Sequence, residues 1–240
     1  MLSNNVKRNN YQTPTGYSDY EEYRNYDARA CDIVNKYLDE HLYPLFVESD
    51  RISSFNQQIR GLDCTFTDYS QFTYKCDEKA AVKWANKNLK TFSLELKYVN
   101  RAGNLHRGWF LDESQENNCY NFIYTDKIRD DEGDFNYQTF TEENIKEVTC
   151  YIVRKNKLHE YFRSIGWTNE RLLEKCREIR RTNGKCDLCD LDKDGLRFHF
   201  SKNLPEKPIN VLISRNTLQY IADYVFKKKG KNFIFAGKKK

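Results

Sequence analysis

The sequence has one methionine and no apolar run long enough to cross a bilayer. Its four histidines, His41, His106, His159 and His199, show no HxxxH or similar spacing, which argues against a helix-borne zinc hydrolase. No Gly-rich phosphate loop and no GxSxG elbow are present. Nucleotide-cradling folds and serine hydrolases of the α/β type are therefore disfavoured. The opening "MLSNNVKRNN" has no apolar centre, so no export signal is expected and a cytoplasmic location is. The eight cysteines are then reduced, mostly buried thiols rather than a disulfide framework.

What is present is aromatic and charged. Seventeen Tyr and fifteen Phe replace methionine as core material, and 240 residues suffice to bury a real core. Charged residues make up 31% and the net charge is +5, a mild basic bias that permits an anionic partner without demanding one.

Along the chain, residues 1–17 read as a loose arm closed by Pro14-Thr15-Gly16. Ser18 and Glu21 make a capping-box pattern for a helix to about Tyr43, with Cys31, Val34, Leu38 and Leu42 as its apolar stripe and Pro44 at its end. Strands are predicted in "LDCTFTD", "QFTYKCDEKAA", "TFSLELKYV", "HRGWFLD", "YNFIYTDKI" and "VTCYIVRK". The tract "RDDEGDFNYQTFTEEN" between the last two reads as an acidic loop. After Arg154 a helix capped by Thr168 and stopped by Gly184 is expected, then "LRFHFSK", "INVLISR" and a helix "NTLQYIADYVF". This divides the chain into an arm (1–17), an α/β core (18–155) and an α/β extension packed on it (156–240).

Side chains alternate faces along a strand. Asp63, Thr65 and Thr67 thus share a face, as do Thr73, Lys75, Asp77 and Lys79, and Thr91, Ser93, Glu95 and Lys97. If the three strands are neighbours, Asp63, Asp77, Glu95, Lys79 and Lys97 converge. Clustered carboxylates repel one another, and a divalent cation removes that repulsion. Mg²⁺ favours oxygen ligands and keeps waters, one of which can act as nucleophile beside a lysine. The alternative is an antiparallel sheet with one wet face, which predicts exposed Lys, Glu and Thr.

The order "Gly61-Leu62-Asp63", hairpin, "Asp77-Glu78-Lys79" resembles the PD-(D/E)XK nuclease superfamily, with Leu62 where proline is expected. "Gln57-Gln58-Ile59-Arg60-Gly61-Leu62-Asp63" also resembles that superfamily's Gln-x-x-Gly-(Ile/Leu)-Asp variant and nominates Gln58. The resemblance covers roughly residues 40–125, by motif order. It implies a restriction-endonuclease-like core, a central mixed sheet flanked by helices. It also implies Mg²⁺-dependent cleavage of nucleic acid, DNA above all, with Mn²⁺ able to substitute. Asp63 and Asp77 would hold the metal, Lys79 would assist the water, and Glu95 would complete the cluster. An acidic residue from the preceding helix is also implied, Glu40 or Glu48. "Glu95-Leu96-Lys97" is a second match to the acid-x-Lys element, so Glu95 and Lys97 remain the competing pair; Glu78 is accessory. A homodimer would suit cutting of both strands. The competing function is the same fold kept as a binding module for nucleic acid or protein without turnover.

Other signals are weaker. Arg101, His106 and Arg107 beside Trp109 make a basic turn that can contact a nucleic-acid backbone. Lys227 to Lys229 and Lys238 to Lys240 can add phosphate affinity, though such runs are more often solvated ends. Cys186 and Cys189, with Cys176 and His199, have irregular gaps for structural zinc.

Overall fold

The computed structural model describes residues 17–128, 136–184, 196–229 and 232–235. The long helix, α1, runs Tyr17–His41. Val34 and Leu38 on its apolar stripe are fully buried, and Pro44 falls in a single tight turn, Tyr43–Leu45. Then come β1 (Glu48–Arg51), a short α2 (Phe55–Gln58), β2 (Cys64–Thr67), β3 (Thr73–Ala80), β4 (Thr91–Val99), β5 (Leu105–Arg107), β6 (Cys119–Ile128) and β7 (Ile145–Arg154). Helices α3 (Lys155–Ser164) and α4 (Asn169–Arg181) follow. Next are β8 (Arg197–Phe200), β9 (Ile209–Ser214), α5 (Arg215–Ile221), β10 (Tyr224–Lys229) and β11 (Asn232–Phe235).

The protein is a mixed α+β structure built on two sheets. The larger has the order β1-β2-β3-β6-β7-β10-β11, antiparallel except where β3 and β6 run parallel. The smaller has the order β5-β4-β9-β8, antiparallel throughout. One face of the large sheet packs Cys64, Cys76, Ile123 and Cys150 against Val34 and Leu38 of α1. The opposite face packs Tyr120, Phe122 and Tyr151 against Leu94, Leu96 and Val211 of the small sheet and against helices α3 to α5. No described helix is long and apolar enough to cross a membrane.

Two expectations change. The stretch "HRGWFLD" is strand only to Arg107, because the chain then turns over β4. The last helix ends at Ile221 instead of running through "DYVF": Val225 and Phe226 pair with Tyr151 and Cys150, and the ladder captures residues of high strand propensity. Strands from both sides of residue 155 share each sheet. β10 and β11 complete the large sheet, and β8 and β9 build half of the small one, so the last third of the chain is woven into both.

A charged clamp ties α1 to the sheet. The Glu78 side chain is only 1% exposed; it accepts the Tyr43 hydroxyl and pairs with the Arg51 guanidinium. Arg51 also donates through Nε to Asp39 Oδ2 of α1 at 3.0 Å. Removing one partner of a buried pair strands the other. Arg51→Met is expected to cost about 3–5 kcal/mol, read from the urea midpoint. A loss below about 1 kcal/mol would mean that Glu78 is buried as the neutral acid.

Candidate active site

The site grows from the β2–β3 hairpin. Gly61 adopts a left-handed φ of +77° after α2, a conformation glycine takes without strain, and swings the chain onto the sheet. Asp63 stands one residue before β2, in register: its N–H donates to Cys76 O at 2.8 Å, and its carboxylate accepts the Glu78 N–H at 2.7 Å. Asp77 and Lys79 project from β3 towards the face that the small sheet covers, since their register partners across the parallel pairing are Tyr120 and Phe122.

Burial separates the two readings of this strand. Thr73 and Lys75 are exposed, as a wet face requires. Asp77, on the same face, is 2% exposed. Its Oδ1 lies 2.6 Å from Lys79 Nζ, while its Oδ2 is buried with no hydrogen-bond partner among the described residues. Burial pushes the Asp77 carboxyl up to about 7; Lys79 pulls it down and Asp63 pushes it back up. For Lys79, burial disfavours the ammonium, but Asp77, Asp63 and Glu95 outweigh it and raise its pKa. The ammonium also sits 5.0 Å above the Trp109 ring.

Glu95 reaches the site from elsewhere than expected. The connection after β3 carries the chain out of the large sheet, so β4 pairs with β5 and β9 and is no neighbour of β2 or β3. Glu95 therefore acts on Lys79 from the small sheet, through its charge. Burial pushes its carboxyl up to about 7, Glu206 adds to this, and Lys79 and Arg24 oppose it. Gly108 makes the approach possible: a Cβ there would lie 2.4 Å from the Glu95 carbonyl oxygen, and the next residue, Trp109, donates its N–H to the Glu95 carboxylate. Among the described residues, no three His, Cys, Asp or Glu side chains gather as a ready-made metal cage. The acidic unit is the Asp63–Asp77 pair, with Glu95 across the lysine.

Asp63, Asp77, Lys79 and Trp109 open into a cleft of about 810 Å³ whose wall opposite the sheet is α1; Glu95 does not line it. Neither helix-side acid nominated above lines it. Glu40 is exposed and 3.8 Å from Lys36, and Glu48 is exposed on β1. One position along, about 100° around the helix, Asp39 does line the cleft, held by Arg51. Gln58 lines it too, donating to Ile52 O at 2.9 Å. Glu78 lines it but is committed to Arg51 and Tyr43.

Lys97 is apart from this group, close enough to Cys176 of α4 to draw its thiol pKa down against burial. Arg101, His106 and Arg107 lie on the β4–β5 hairpin and none lines the cleft. His106 is 2.8 Å from Asn100 and stacks on Tyr98, and Arg107 pairs with Glu113 at 2.6 Å. Lys228 donates to Ile145 O, a structural use. Cys186, Cys189 and Lys238 to Lys240 lie outside the described residues. Cys176 is buried in α4 and His199 is exposed on β8.

Sequence reasoning missed Asp39 and Trp109 as parts of the cleft; Tyr120, which does not line it, is the register partner of Asp77, and burial and then Asp77 raise its pKa. Gly108 beside Trp109 was the available signal for the second. Comparison with protein-family models, with curated proteins and with solved structures finds no match for this chain.

Proposed function

We propose that this chain is a Mg²⁺-dependent phosphodiesterase acting on nucleic acid, DNA first among substrates, on a restriction-endonuclease-like core. The observation that carries the reading is Asp77 Oδ2, a carboxylate oxygen buried in a cleft beside a second carboxylate, Asp63, with no hydrogen-bond donor for it among the described residues. Such an atom is costly unless a cation belongs there. Two carboxylates, Asp63 and Asp77, fit Mg²⁺, which is commonly held by one or two protein carboxylates with waters and substrate completing its shell. Mg²⁺ bound there would neutralise the pair and supply an activated water for attack on phosphorus. Lys79, released from Asp77, would orient that water or stabilise charge developing on the phosphate. Glu95, on the small sheet, raises the pKa of the lysine, and the Trp109 ring lies 5.0 Å from its ammonium. The expected acid–hairpin–acid-x-Lys order, a mixed sheet and a preceding helix with an acid on the cleft support the family assignment.

Mn²⁺ titration followed by thermal unfolding tests the site. Saturation at about a hundred times Kd is expected to add roughly 2.7 kcal/mol to wild type and nothing to Asp77→Ala. Plasmid incubated with Mg²⁺ then reports turnover. Stabilisation without cleavage would make the chain a binding module; no stabilisation and intact plasmid would remove the hydrolase reading.

A further inference from the structure

A second cavity, about 420 Å³, opens where β3 leaves the large sheet and β4 enters the small one. Trp84 and Leu89 of the connection, Phe92 and Ser93 of β4, His199 of β8 and Asp27 of α1 line it. No candidate carboxylate of the active site does.

Its position is the first argument. Both strands that carry the site run into it. Ala80, which lines it, ends β3 one residue after Lys79, and Ser93 precedes Glu95 by two positions on β4 and shares its face. At about 3.3 Å per residue the cavity begins within roughly 7 Å, along each strand, of its site residue, Lys79 or Glu95, and so within reach of one extended nucleotide.

Its chemistry is the second. From Ala80 to Leu94 the chain has three lysines, Lys83, Lys87 and Lys90, and no acidic residue. Trp84 keeps 49% of its surface exposed, with the Lys87 ammonium 5.9 Å from its ring centre. A half-exposed indole over an apolar pocket, with Lys83 in the lining and Lys87 beside the indole, matches a flat aromatic ligand joined to an anion. A bare phosphate would need no indole, and an aliphatic chain no lysines. Asp27, which accepts the Tyr137 hydroxyl at 2.8 Å, Ser93 and His199 offer polar groups to the edge of such a ring. The connection is also pinned. Asn86, at φ +62°, donates to Ile128 O at 3.0 Å and accepts the Ile128 N–H at 2.8 Å, so Trp84 stands on a fixed turn.

From this we infer that the cavity is a nucleobase subsite, taking the base of a nucleotide next to the scissile phosphate and stacking it on Trp84. The inference rests on the phosphodiesterase reading and names the form of its substrate: a strand with at least one base out of the helical stack, single-stranded or flipped.

The test uses the full chain and a set of short single-stranded oligonucleotides, each with one abasic position. Binding is measured in Ca²⁺ and cleavage in Mg²⁺. One abasic position flanking the cut is expected to weaken wild-type binding about tenfold, the others little. Trp84→Ala is expected to lose the same tenfold and become indifferent to the abasic position, while Trp84→Phe keeps most of the preference. Cleavage with equal response to every abasic position, or an unaltered Trp84→Ala, overturns the subsite and leaves the nuclease. Position-dependent binding without cleavage keeps the subsite and overturns the nuclease. Binding of no oligonucleotide by a folded wild type overturns both.

Discussion

Lys79→Met is expected to lower Mg²⁺-dependent cleavage by about 10²–10⁴-fold, the range for removing a positioned proton-transfer or charge-stabilising group. Methionine keeps most of the lysine stem's volume and loses only the ammonium, so the Trp109 contact survives as an apolar one. The group lost is the one 2.6 Å from Asp77, with Glu95 acting on it from the small sheet. The effect should fall on kcat, with oligonucleotide affinity within a few-fold of wild type, because the cleft's shape is unchanged. Lys79→Arg is not a conservative rescue: a planar guanidinium presents its donors in a different geometry. Lys97→Met supplies the contrast. Lys97 lies by Cys176, away from the carboxylate pair, and its loss should leave cleavage near wild type. If Lys97→Met abolishes cleavage and Lys79→Met does not, Glu95 and Lys97 are the working pair.

The second large effect is on stability. Asp77 has a folded pKa of about 7 against an ordinary 3.8. The folded chain therefore keeps a proton that the unfolded chain releases, and stability falls as pH rises from about 4 to about 7. At 1.36 kcal/mol per pKa unit the loss is on the order of 4 kcal/mol without metal. Glu95, raised to about 7 from 4.5, works in the same direction. Lys79 stays protonated across this window and adds no slope, since its pKa is raised from an already alkaline value. The comparison that isolates Asp77 is wild type against Asp77→Asn, by urea unfolding in chelator at pH 4.5 and pH 8. Wild type is expected to lose more stability than the variant over that interval, and Mg²⁺ at pH 8 to restore wild type alone. Parallel pH profiles for the two proteins would show that the Asp77 carboxylate is not penalised by burial.

The two expected results concern residues of different legibility. Asp63, Asp77 and Lys79 could be placed from the chain alone, because strand alternation has a period of two and the hairpin between them is short. The hairpin pairs Cys64 with Cys76 and Thr67 with Thr73. Glu95 was placed on the right face of the wrong neighbour. Its alternation is sound, with Leu94 and Leu96 buried on either side, but alternation says nothing about which sheet a strand joins. The acid on α1 shows a related limit. A helix exposes Glu40 and turns Asp39 towards the cleft through one step of about 100°, and only docking decides which of the two is which. Residues 222–226 show another: aromatic and β-branched residues serve a helix face or a strand, and the free edge of β7 chose the strand.

Local geometry, then, was written in the chain: which side chains alternate, where Pro44 and Gly61 break the path, and which acid precedes which lysine. Long-range assembly was not. The burial of Asp77, the action of Glu95 and Trp109 on Lys79, and the basic, aromatic cavity beyond them all follow from the small sheet packing over the large one. That contact joins residues distant in sequence, and no short stretch encodes it, because its energy comes from apolar area contributed by elements along most of the chain.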